Sequence, residues 1–432
     1  MSTKRYSYRM YPSAGQRKDL ARVFGCARVV YNDFIAERSR LREAGEHKDV
    51  PFGDTAKLVV TQAKRTPERT WLSEVSNIAL QQSVRQAERA YRNWFDSLSG
   101  KRKRKVGAPR FRKRSRRQSI TLTRGGFSVR QTTHDVGFVR LAKIGEVRFT
   151  LSRPLPSAPS SVTVIGNPDG TYEVSFVVET VGSPLPSTSR AVGIDLGLTD
   201  FAAVVASDGT REKIANPRHF RVNERKLTRA QKNLSRKKRG SANREKARLR
   251  VARIHSKIAR SRADHAHKVA RHIVDENQVI AAETLGVSAL ARTRMSKSVH
   301  DAGWTQFLRV LGEKATDAGR VVVAVPRDFP SSQVCSVCGR RDGKKPLRIR
   351  EWACPCGAVL DRDYNAAVNI MNEGLRLQVT GGHSETVNAC AGGSLHRLGG
   401  ESRRGADVRL RLAGAVSVEA GTRRTDACEV VS

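Results

Sequence analysis

Four of the seven cysteines, Cys335, Cys338, Cys354 and Cys356, crowd into one short stretch, while Cys26, Cys390 and Cys428 are scattered. The quartet is written C-S-V-C at 335–338 and C-P-C-G at 354–357, with the charged stretch GRRDGKKPLRIREWA between the pairs. Two close thiolate pairs, each on a turn, can close a tetrahedral Zn²⁺ site, and a knuckle with so small a core folds on its metal. The second pair is C-x-C rather than C-x-x-C, which makes a tighter knuckle. Four thiolates leave no open position for water, so the expected ion is structural. Clustering of this kind points to a metal rather than to disulfides, and to a reducing cytoplasm.

Charge sets the next limit. Lys and Arg number 80 against 41 Asp and Glu, a formal net charge of +39. Such a surface repels itself unless a polyanion neutralises it, and contacts to phosphates release condensed counterions. Nucleic acid is the expected partner. A membrane is not: there is no run of about eighteen apolar residues, and the N-terminus MSTKRYSYRMYPSAG lacks an apolar core. A chain of 432 residues is long enough for several domains, each with its own core.

The first residues, with alternating Tyr6, Tyr8 and Met10, read as a strand. From 13 to about 100 the apolar spacing is helical, interrupted near Pro51 and Gly53, with Trp71, Tyr91, Trp94 and Phe95 expected in the helical core. Residues 101–117, KRKRKVGAPRFRKRSRR, form the densest basic run. Of these, Lys101, Arg102, Lys103, Arg104, Lys105, Arg110, Arg112, Lys113 and Arg114 are candidates for phosphate contact. Strands dominate from 118 to 182, suggesting a small antiparallel barrel or sheet. A Pro/Ser-rich linker near 182–189 opens a second half in which strands and helices alternate, an α/β arrangement. Residues 221–276 read as a basic helical hairpin inserted there and broken at Gly240, with Arg236, Lys237, Lys238 and Arg239 at its turn. The chain from 377 to 432 has no sustained period and reads as a disordered tail.

Three acids stand where their chemistry would need them. Asp195 ends the apolar strand beginning at Ala191, Glu283 ends another, and Asp363 opens the last helix directly after the cysteines. Hard Mg²⁺ prefers oxygen ligands, and three carboxylates from separate elements can hold two such ions against one scissile phosphate. Taken singly, each acid also has a dull explanation, as turn residue, strand-end charge or helix cap.

The ordered pieces Gly193-Ile194-Asp195-Leu196-Gly197, Glu283-Thr284-Leu285, Ser331-Ser332-Gln333-Val334-Cys335-Ser336-Val337-Cys338-Gly339 and Asp361-Arg362-Asp363-Tyr364-Asn365-Ala366-Ala367-Val368-Asn369-Ile370 resemble the motifs of the TnpB (OrfB) family. Phe24-Gly25-Cys26-Ala27-Arg28-Val29-Val30-Tyr31-Asn32 is similar to that family's opening helix. The resemblance implies a multidomain α+β chain akin to type V CRISPR effectors. Its wedge-type β-barrel would comprise 1–12 and 118–182, split by a helical recognition lobe at 13–117. An RNase H-like (RuvC) nuclease domain would comprise 183–330 and 357–376, with a zinc ribbon at 331–356. By the same resemblance Asp195, Glu283 and Asp363 are the catalytic acids, with Asp361 in a supporting place.

The activity so implied is RNA-guided cutting of double-stranded DNA beside a short flanking motif, with a guide RNA made from the transposon end, catalytic Mg²⁺ and structural Zn²⁺. The expected location is the cytoplasm, in association with the nucleoid. Two rivals are a transposase that itself joins strands, since one fold hosts both reactions, and a non-cutting RNA-guided regulator. The regulator's expected signature, a missing acid, is absent.

Overall fold

The structure, a computed structural model, describes residues 2–380 except 47–48, 103–104, 115–116, 133–134 and 347. Lys103 and Arg104 of the basic run, and 381–432 of the expected tail, lie outside the described residues. Two units are distinguished: one holds the chain up to Gly182 together with Lys226–Ser256, the other Ser183–Arg225 and the chain from Lys257 onward. The expected hairpin at 221–276 is therefore shared between them instead of belonging to the second alone.

In the first unit, β1 (Ser2–Tyr11) leads into the 30-residue helix α1 (Ala14–Glu43). Ser13 starts α1 through a capping box: its hydroxyl accepts from the Gln16 amide, and the Gln16 side chain accepts from the Ser13 amide. The short α2 (Phe52–Ala56), a π-helical segment (Lys57–Gln62) and two 3-10 segments (Ala63–Arg65 and Pro67–Glu74) lead to α3 (Asn77–Leu98), which packs along α1. There follow β2 (Gln118–Thr123), β3 (Phe127–Gln131), β4 (Val136–Leu141), β5 (Gly145–Thr150), β6 (Ser161–Gly166) and β7 (Tyr172–Thr180).

These strands and β1 make one antiparallel sheet in the order β2-β6-β7-β1-β5-β4-β3. Its edges, β2 and β3, do not pair with each other, so by hydrogen bonding the expected barrel is an open sheet. Tyr8 and Met10 point inward with the period of two that a half-buried strand requires. They join Phe34, Leu80, Tyr91, Phe149 and Phe176 in a single core. Sheet and helices, expected as separate domains, thus share one apolar interior. Trp71 and Trp94 pack at its margin, while Phe95 is partly exposed.

In the second unit, β8 (Ala191–Leu196), β9 (Asp200–Ala206) and β10 (Arg211–Ala215) form an antiparallel meander. Helices α4 (His219–Ser235) and α5 (Ala242–Glu276), of which Lys226–Ser256 belongs to the first unit, follow in the chain, parted by a turn where Gly240 adopts φ +82°. Next come β11 (Val279–Glu283), the short helices α6 (Val287–Leu290) and α7 (Ser296–Ala302), α8 (Trp304–Ala318) and β12 (Val321–Val325). A two-stranded hairpin, β13 (Glu351–Ala353) and β14 (Val359–Asp361), precedes α9 (Arg362–Thr380). Residues 377–380, expected in the tail, continue that helix.

The sheet order is β10-β9-β8-β11-β12, with β11 parallel to both β8 and β12. One face packs against α5 and α8 through Val192, Ile194, Ile280, Phe307 and Leu311. The other is covered by α9, whose Ile370 and Met371 meet Ala191, Val279 and Ala281. Gly193 permits this approach, because a Cβ there would stand 2.0 Å from the Ala367 carbonyl oxygen.

Candidate functional site

Strand parity brings the acids together. On β8 the residues Val192 and Ile194 face α5 and α8, so Ala191, Gly193 and Asp195 face α9. On β11 the same alternation sends Ile280 and Ala282 one way and Val279, Ala281 and Glu283 toward α9. The parallel register sets Ala282 beside Ile194, which leaves Glu283 and Asp195 as the next neighbours at the strand ends. Asp363 lies in the first turn of α9, above that face. All three line one open cleft of about 530 Å³.

The cleft is electrostatically strained. Burial pushes the Asp195 carboxyl up to about 7, and the neighbouring charges of Glu283 and Asp363 push the same way, against Arg362 and Arg350. Burial likewise raises Glu283, opposed by the Arg327 guanidinium. Arg350 pairs with Asp363 at 3.3 Å and donates to the Thr199 hydroxyl at 2.8 Å. Asp361 is the helix cap: its Oδ1 accepts from the amides of Asp363 and Tyr364, and its Oδ2 pairs with Lys213 at 2.6 Å. Against the upward push of burial, these bonds hold Asp361 below the usual carboxylate range.

Arg327, Arg350 and Arg362 also line the cleft; Arg327 and Arg350 stand in none of the motifs, and Arg362 stands within one without its spacing assigning it a role. In so basic a chain no spacing separates them from dozens of solvated cations.

The four cysteines converge as well. Their sulfurs lie within 4.8 Å of one another, with Cys335 to Cys356 at 3.8 Å and Cys338 to Cys354 at 3.7 Å. These distances exclude disulfides, which need about 2.0 Å. Four thiols so placed can hold a metal ion. Trp352 is buried against Cys335 and Cys354, with the Lys345 ammonium 3.5 Å from its ring centre.

Of the basic candidates, Lys101, Arg102, Lys105, Arg110, Lys113 and Arg114 are exposed, as are Arg236, Lys237, Lys238 and Arg239. The α4–α5 turn that carries the last four is pinned by Arg244, which donates to the carbonyls of Leu234 and Lys237. Arg112 differs from the rest. Its guanidinium lies 3.7 Å from the Tyr31 ring centre and donates to Gln86, and its backbone exchanges two hydrogen bonds with the Asn32 amide. It anchors the basic strap to α1 and α3.

Comparison with known proteins places the chain. A family model described as a probable transposase of the OrfB/IS605 group matches 172–294, and one described as a Cas12f1-like TNB domain matches 304–370. A third, described as a helix-turn-helix domain, matches 1–47, although the residues described there form β1 and one unbroken helix. A Streptomyces pristinaespiralis protein named as a putative RNA-guided DNA endonuclease is 40% identical over 87% of this chain and 90% of its own length. The Escherichia coli protein InsQ, similarly named, is 30% identical over 85% of this chain and 92% of its own. The protein chain in a cryo-EM structure of a Cas12f1–sgRNA–target DNA complex shares the fold, with a TM-score of 0.57 at 13% identity over 86% of this chain and 99% of that one. Sustained identity across nine-tenths of a relative's length, with three family models in order along the sequence, makes the chain a member of the OrfB (TnpB) family.

Proposed function

We propose that this chain is an RNA-guided DNA endonuclease whose Asp195, Glu283 and Asp363 hold two Mg²⁺ ions and whose cut leaves 5′ phosphates. One observation carries the reading: three carboxylates from three separate elements share one cleft, at a cost visible in the raised Asp195 and Glu283. Divalent cations relieve that cost, and the donors are the hard oxygens that Mg²⁺ prefers. The names of relatives 40% and 30% identical over most of their length support the same reading.

Asp195, Glu283 and Asp363 would hold such a pair of ions, which would supply a lowered pKa for the attacking water and charge stabilisation for the leaving 3′ oxygen. The chain's own residues do the rest. Arg327, Arg350 and Arg362 set positive charge around the acids, which draws a phosphodiester into an otherwise anionic cleft. Asp361 and Lys213 fix the first turn of α9, and so the carboxylate of Asp363. No side-chain nucleophile is required.

The sheet order, an antiparallel meander extended by two parallel strands with α9 across the active face, supports an RNase H-like (RuvC) domain. The cysteine hairpin reads as a zinc ribbon. Zn–S bonds of about 2.3 Å place tetrahedral sulfurs about 3.8 Å apart, close to the 3.7 and 3.8 Å separations of the two pairs. Guide RNA from the transposon end would read the target by base pairing, while exposed cations on the strap and the α4–α5 turn hold backbone phosphates. Cutting of double-stranded DNA beside a short flanking motif, in the cytoplasm at the nucleoid, completes the reading. Among the described residues no helix is long and apolar enough to cross a membrane.

The test is to co-express the chain with its flanking genomic DNA, isolate the bound RNA, and offer the complex a matching plasmid. Linear product with Mg²⁺ and none with EDTA is expected. Strand-joined products formed without RNA would instead favour the transposase that one family description names.

A further inference from the structure

Two buried amides on α9 take no part in the chemistry above. Asn365 and Asn369 are 2% and 6% exposed, one helical turn apart. Both bond to one stretch of backbone, 331–336. Asn365 Nδ2 donates to the Val334 carbonyl at 2.8 Å, and its Oδ1 accepts from the Ser336 amide at 2.8 Å. Asn369 Nδ2 donates to the carbonyls of Ser331 and Val334 at 2.8 and 2.7 Å. The irregular backbone that leads into Cys335 thus has its polar groups satisfied by α9, and a buried carbonyl or amide left without such a partner is costly.

The same helix carries Asp363, two residues before Asn365. Its sheet side is fixed by the close approach at Gly193, and its other side by the two asparagines. From between the cysteine pairs, Arg350 reaches the Asp363 carboxylate itself. The cysteine site is therefore tied to one acid of the cleft from two directions.

We infer that Asn365 and Asn369 are positioning residues that couple metal occupancy of the four-cysteine site to the placement of Asp363. Loss of the cysteine-bound ion loosens 331–336, the two asparagines lose their partners, and the first turn of α9 shifts. The inference rests on the nuclease reading of Asp363. An asparagine suits such a position because one planar amide can donate to a carbonyl while accepting from a backbone N–H. Asn365 does both.

The experiment uses the full-length, guide-loaded protein and the variants Asn365→Ala, Asn369→Ala and their double. The readouts are zinc content, target binding, Mn²⁺ binding at the cleft by electron paramagnetic resonance, and single-turnover cleavage. The variants are expected to keep one zinc per chain and to bind target within about twofold of wild type. They should bind Mn²⁺ several-fold more weakly and cut about 10- to 100-fold more slowly, the effect of a small misplacement of a catalytic group.

Zinc removal by a chelator should weaken Mn²⁺ binding in the wild type and add little in the double variant. That non-additivity marks a shared path. Fully additive losses, or variants with wild-type Mn²⁺ binding and rate, overturn the inference. Asp363→Ala separates the two levels. If it also binds Mn²⁺ normally, the nuclease reading itself fails; if it alone loses Mn²⁺, only the coupling fails. Should the double variant not fold, Asn365→Asp keeps the acceptor for Ser336 and loses the donor to Val334, and the same weakening is expected of it.

Discussion

Asp195 and Glu283 stand side by side at the ends of the parallel neighbours β8 and β11, both turned toward α9. Their proximity has a thermodynamic sign. The Asp195 carboxyl is ordinarily near 3.8 and is raised to about 7 in the fold. Below about pH 3 it is protonated in folded and unfolded chains alike, so the shift changes nothing. From about pH 3 to about pH 7 the unfolded chain releases the proton first, and stability falls as pH rises. Above about pH 7 the loss reaches at most about 4 kcal/mol. Without added divalent cations, Asp195→Asn should therefore melt higher than wild type at about pH 8 and match it near about pH 3. Equal melting temperatures at both pH values would contradict the strain.

Close packing of β8 on α9 is what delivers Asp363 to the other two acids. Gly193→Ala places a methyl against the Ala367 carbonyl and the backbone of Met371. It should cost about 2 to 4 kcal/mol of stability in denaturant titration. By contrast, a Cβ at Gly53 meets nothing within 4 Å. Gly53→Ala should be neutral or slightly stabilising.

Metal removal has an optical signature. Trp352 is buried beside Cys335 and Cys354, and the small core around it depends on the four sulfurs being held together. Chelation, or Cys335→Ser, should release the ion and shift the emission of Trp352 to longer wavelength. Restoring zinc should reverse the shift in the wild type and not in the variant.

The basic strap divides into one anchor and several exposed cations. Arg112→Ala should lower stability by about 1 to 2 kcal/mol through its stacking on Tyr31, with little change in the salt dependence of RNA binding. Replacing Arg110, Lys113 and Arg114 together by Gln should leave stability near wild type. It should reduce the slope of log K against log salt by about 0.7 for each phosphate that is no longer neutralised. Reversed outcomes would exchange the two roles.

Part of the site is legible from residues alone, because Asp195 and Glu283 each close an apolar run. Strand alternation then decides which face each acid shares. The cysteine pairs are legible for a similar local reason. The open sheet is not: β1 pairs with β5 and β7 more than a hundred residues downstream, and only that non-local pairing merges strands and helices into one core. Nor is the role of Arg112, one arginine among many until Tyr31 and Asn32 fold against it. Arg350 is a similar case, singled out only when the hairpin folds back over α9.

The proposed function requires Asp195, Glu283 and Asp363 to act together on one phosphodiester. Its most direct test is single-turnover cleavage of a matched plasmid by guide-loaded protein, comparing wild type with Asp195→Ala, Glu283→Ala and Asp363→Ala under saturating Mg²⁺. Each variant should bind guide and target as the wild type does and yield no product, a loss of at least about a thousandfold. Cutting at the wild-type rate by any one of the three would rule out joint action of the carboxylates.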